Sequence, residues 1–81
     1  MNIENMQIKG QLAEARKKLK ALETEASGLI ILIRSLLNPY EEDISKLDID
    51  KAATAMVRLN WAVNQIRIQK NKIEKLEAHF D

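Results

Sequence analysis

The sequence predicts an all-α fold, an antiparallel two-helix hairpin of coiled-coil type, expected to dimerise into a four-helix bundle. Three observations predict it. Leu12, Ala15, Leu19, Leu22, Ala26, Leu29, Ile33 and Leu36 follow one another at alternating spacings of 3 and 4, and Ile8 extends the run backwards by four. Such spacing puts these side chains in one narrow stripe of an α-helix, which needs a partner helix to leave water. Ala52, Leu59, Ile66, Ile73 and Phe80 recur at sevens in the second half. Between the two runs, Asn38-Pro39 stops a helix, because proline disfavours the α conformation before it and offers no N–H.

One domain, residues 1–81, is expected. Its first helix should span about 3–37, roughly 52 Å at 1.5 Å per residue. Gly10 and Gly28 fall off the stripe, and each costs up to ~1 kcal/mol against alanine. Ser27-Gly28 is the expected place for a kink or for a close backbone approach. The connection should occupy 38–48. Asn38-Pro39-Tyr40-Glu41 resembles a helix start, with Asn as N-cap and Glu at the third position, so a short helical turn is expected at 39–44. Ser45 and Asp48 both offer a cap for the second helix. Asp48 is favoured, with Asp50 in the first turn facing the positive end of the helix dipole.

The second helix should span about 49–79. Ala55, Ala62 and Leu76 flank its sevenfold stripe on one side, Met56 and Val63 on the other. That face is wider than a two-stranded seam and suits a bundle helix with more than one neighbour. Two helices alone bury only one stripe each and are marginal at this size.

Two apolar features lie outside the stripes. Leu29 to Ile33 is continuously aliphatic and places Ile31 opposite the seam. Val57, Trp61 and Ile68 share the outer side of the second helix. Ile31, Val57, Trp61 and Ile68 are therefore the candidate oligomer interface. Single exposed apolar residues are ordinary. Tyr40, Ile44 and Leu47 could also fold back over Ile31.

Charge is uneven although the net charge is only +1. Lys9, Arg16, Lys17, Lys18 and Lys20 start the first helix, and Arg67, Lys70, Lys72 and Lys75 end the second. A hairpin brings both groups to its open end and leaves Glu41, Glu42, Asp43, Asp48 and Asp50 at the loop. The basic set is a candidate nucleic-acid patch. Two other readings compete: a solvated face with weak i,i+4 pairs, and a charge pattern that orients a dimer. No aromatic residue is interleaved to stack bases, which ranks nucleic acid below them.

Site chemistry is sparse. No cysteine is present, so disulfides, thiolate nucleophiles and Cys-ligated zinc are excluded. His79 has no convergent ligand set. Glu41, Glu42 and Asp43 lack the spaced oxygens and turn glycine of a calcium loop. Ser35 and Ser45 have no histidine near in sequence. Neither glycine belongs to a phosphate-cradling motif. A non-enzyme without cofactor is expected. The N-terminus does not read as a signal peptide, and the longest apolar run, Gly28 to Ile33, is too short to span a membrane. A cytoplasmic protein without membrane attachment is expected.

The segment from Gly28 through Leu-Ile-Ile-Leu-Ile-Arg-Ser-Leu-Leu-Asn-Pro to Tyr40, with the acidic turn and Ala-rich helix after it, resembles small uncharacterised helical proteins of Mu-like bacteriophages and prophages. The resemblance implies a bacterial host cytoplasm and an accessory role toward a phage or host macromolecule. It carries no functional residue. The expected function is thus a helical interaction or scaffold protein, with a small DNA-associated accessory factor as the alternative.

Overall fold

A computed structural model describes residues 3–80. Two long helices, α1 (Ile3–Leu36) and α2 (Ile49–Ala78), pack side by side as an antiparallel hairpin. The hairpin is a rod with extents of 66 × 17 × 14 Å.

The seam of α1 is the one its spacing predicts. Leu12, Ala15, Ala26 and Ile33 are buried, and Ile8, Leu19, Leu22, Leu29 and Leu36 are half-buried. In α2, Ala52, Ala55, Ala62 and Ile73 are buried, and Leu59, Val63, Gln65, Ile66, Gln69 and Leu76 are half-buried. The run Ala52, Ala55, Leu59, Ala62, Ile66, Gln69, Ile73 and Leu76 alternates by 3 and 4, and Val63 and Gln65 are half-covered beside it, one on each flank. Met56 and Phe80 stay exposed. Phe80 lies past the end of α2 in a turn, so it leaves the helical stripe even though α1 continues past its level at Ile8.

Two ion pairs across the seam report the register. Glu25 meets Arg58 on one flank, and Arg16 meets Glu77 on the other at 3.9 Å. Both fit a single antiparallel register in which Leu12 is level with Leu76, Ala15 with Ile73, Leu19 with Gln69 and Ala26 with Ala62. The cluster of Leu12, Ala15 and Ile73, packed by Leu19 and Leu76, forms the open-end core in that register. At mid-rod, alanine faces alanine, and Ala62 is wholly covered. Small side chains there bring the backbones close, at the expense of apolar area for the core.

The connection differs from the expected turn at 39–44. Asn38 does not cap a helix. Its carboxamide oxygen accepts from the Tyr40 N–H at 3.0 Å, closing an Asx turn over Pro39. The Glu41 side chain accepts from the Asp43 N–H instead of reaching back to residue 38. The helical turn forms later, as a 3-10 segment at Ile44–Lys46 capped by Asp43, whose carboxylate takes both the N–H and hydroxyl of Ser45. Tyr40 and Ile44 do not fold over Ile31. All three are largely exposed, and Leu47 alone of the loop apolars is half-buried. Asp48 caps α2 as expected, accepting from the Lys51 N–H at 3.0 Å.

Gly28 is not a close backbone approach. A Cβ built there meets nothing within 4 Å, and the same holds for Gly10.

Candidate functional site

Among the described residues, the heptad geometry sorts the surfaces that the seam leaves to solvent. Residues whole heptads from Arg16 in α1 and from Glu77 in α2 share one flank, since that pair joins there. Residues whole heptads from Glu25 and Arg58 share the other.

Trp61 sits beside this second flank. The Arg58 guanidinium lies over its ring, 4.0 Å from the centroid, while Arg58 Nε donates to Glu25. One arginine thus ties the two helices and covers one face of the indole. Arg58 and Glu25 are both substantially exposed, so the ion pair contributes under ~1 kcal/mol, and the cation–π contact adds ~0.5–1 kcal/mol. Trp61 retains 43% exposure. With Leu22, Glu25, Gln65 and Gln69 it borders a shallow open concavity, rimmed by Lys18.

The four candidate interface residues are exposed, but they do not form one patch. Ile31 and Val57 are 70% and 72% exposed. Each stands opposite the seam on its own helix, so they occupy opposite edges of the rod. Ile68 lies on the Trp61 side, two helical turns farther along. Around the end of α1, Ile31, Arg34, Leu37, Pro39 and Tyr40 border a second open concavity.

The basic residues Lys17, Lys18, Lys20, Lys70, Lys72 and Lys75 are exposed, and the antiparallel pairing gathers them toward the open end. Two members of the set have local partners: Arg16 the Glu77 carboxylate, and Arg67 the Asn64 carboxamide oxygen at 3.4 Å. His79 ends α2, its N–H donating to the Leu76 carbonyl and its ring edge-on to Phe80. Among the described residues, no group of three His, Cys, Asp or Glu side chains is placed to hold a metal ion. Nor is any described helix long and apolar enough to cross a membrane.

Sequence reasoning passed over two residues. Gln69 takes a seam position, and its Oε1 is buried without a hydrogen-bond partner. The 3–4 spacing runs through it, from Ile66 to Gln69 to Ile73, but a search for apolar residues skips a glutamine. Arg58 was legible as an i, i+3 neighbour of Trp61, a spacing that places two side chains on one helix face.

Comparison of the chain with protein-family models, with curated proteins and with solved structures finds no match.

Proposed function

We propose that this chain is a non-enzymatic helical interaction or scaffold protein that associates with a second copy as a four-helix bundle. The observation that carries the reading is the apolar surface outside the seam. Ile30, Leu37, Ile49 and Met56 are 42–54% exposed, in addition to the separate exposed residues Ile31, Val57, Trp61 and Ile68. Exposed aliphatics in this number along a thin rod favour burial against another helix pair. The likeness of the 28–40 segment to helical proteins of Mu-like phages supports an accessory role in a bacterial cytoplasm.

Light scattering tests the association. At micromolar concentration the expected mass is twice the 9.3 kDa of the chain. A species of single-chain mass would overturn the reading.

A second reading is a small DNA-associated factor. It is favoured by the exposed lysines that the antiparallel pairing collects at one end. Phosphate contacts weaken steeply with salt, whereas apolar helix packing does not, so duplex binding across a salt series separates the two readings.

A further inference from the structure

The two flanks of the seam differ in kind. On the Arg16–Glu77 flank, the heptad positions nearer the loop are filled by Ile30 and Leu37 in α1 and by Ile49, Met56 and Val63 in α2. The open half of this flank is ionic and the loop half aliphatic. Ile30, Leu37, Ile49 and Met56 are between 42% and 54% exposed, and Val63 is half-buried. They continue the buried seam outward, as the third apolar position of a bundle helix does. The opposite flank carries Leu32, 37% exposed, and is crossed by the Arg58 guanidinium, which binds Glu25 and stacks on Trp61.

We propose that a second copy of this chain docks on the Ile30–Leu37–Ile49–Met56–Val63 flank, antiparallel to the first, about a two-fold axis close to Met56. The proposal rests on the dimeric reading above and assigns its face.

Surface area supports a second copy. The chain exposes 6456 Å². A compact folded monomer of its 9.3 kDa would expose about 5,000 Å². The excess of roughly 1,500 Å² is more than the ~800 Å² that each partner contributes to a standard interface.

Charge supports the same occupant and its orientation. A two-fold contact must be self-complementary. Aliphatic surface meets itself at the axis. Arg67 and Lys70 of α2 stand about 17 and 21 Å beyond Met56, at 1.5 Å per residue. Asp48 and the loop acids Glu42 and Asp43 stand on the other side of Met56, at about 12 Å and beyond. The axis therefore sets the acidic loop of each copy level with Arg67 and Lys70 of the other, twice over. Glu23 on the same stretch of α1, Lys46 among the loop acids and Arg34 beside Ile30 and Leu37 offset part of this attraction. A parallel arrangement would instead set the two acidic loops against each other.

The natural chain has no cysteine, so single cysteines report the face cleanly. Met56→Cys and Val57→Cys place a thiol on this flank and on the outer edge of α2, each at an exposed position. Under mild oxidation or a short bis-maleimide linker, Met56→Cys should give covalent dimer and Val57→Cys should not. Ile30→Glu with Met56→Glu should halve the mass seen by light scattering with helicity retained, and Trp61→Ala should leave the dimer mass unchanged. Should the doubly charged variant not fold, the cross-linking pair decides. A monomeric wild type overturns both the dimeric reading and this face. A dimeric wild type that cross-links through Val57→Cys overturns this face alone and moves the second copy to the outer edge of α2; one that loses dimer with Trp61→Ala but not with the charged pair overturns it and moves the second copy to the Trp61 side.

Discussion

Replacing Gln69 with leucine should stabilise the protein. Gln69 occupies a seam position level with Leu19, and its Oε1 is buried with no partner. An acceptor taken out of water without a replacement hydrogen bond costs about 1–3 kcal/mol. Gln69→Leu removes that cost and places apolar surface beside Leu19 and Ile73, which already pack together at the open-end core. The side chain is only partly covered, so the gain should fall in the lower part of the range, about 1–2 kcal/mol. For a chain of this size each kcal/mol shifts Tm by roughly 4–8 °C, giving an expected rise of about 5–15 °C. Circular dichroism melts and urea titrations measure it, at one fixed protein concentration because association raises apparent stability. Gln65→Leu, half-buried beside the same concavity but with no orphaned atom, should gain less. A polar residue at one seam position can also fix register and strand number, so mass is measured on the same samples. A drop in stability at unchanged mass would refute the reasoning, since it would mean that the carboxamide contributes more than it costs.

The remaining predictions concern seam, glycine and basic end. Leu22→Ala and Leu59→Ala should each destabilise by about 2–3 kcal/mol, the low end for core leucines because both are half-buried, while exposed Thr24→Ala should change almost nothing; equal effects at all three in urea unfolding would mean a misplaced seam. Gly28→Ala should raise stability by up to ~1 kcal/mol, because the added methyl meets open space; a loss in the same assay would show that another surface seats on Gly28. Duplex DNA binding should be non-specific and fall roughly 100-fold between 50 and 200 mM salt if Lys17, Lys18, Lys70 and Lys72 make four phosphate contacts. Tight, sequence-selective binding at the higher salt, lost on reversing those four charges, would make the DNA-associated reading the better one.

How far each element was legible follows from how local its causes are. The α1 seam needs only its own 3–4 spacing, and every residue from Ile8 to Leu36 in that run is covered. The start of α2 needs only Asp48 and the N–H of Lys51. The loop was harder, since Asn38, Glu41, Asp43 and Ser45 each offer a side-chain oxygen to nearby backbone. The local competition among them decides where the turn forms: Asn38 is taken by Tyr40, and Asp43 wins Ser45. Phe80 failed for a different reason. Its sevenfold spacing continues past the point where α2 ends at Ala78, and periodicity says nothing about where its own helix stops.

The surfaces depend on information that no single helix contains. Met56, Val57 and Trp61 look equivalent as apolar residues off the stripe of α2. Their difference comes from α1: which of its residues lie across from each flank, and whether they are ionic or aliphatic. Arg16–Glu77 and Glu25–Arg58 supply that answer, because each pair names the residues that share its side. Met56 then joins Ile30 and Leu37 of the other helix in one two-sided strip, Trp61 joins Arg58 and Glu25, and Val57 is left on an edge by itself. A surface built from both helices can bury four or five side chains at once in a bundle, whereas an edge residue buries alone. The physical case for a partner therefore rests on the strip around Met56, although tryptophan is the residue that attracts attention in the sequence.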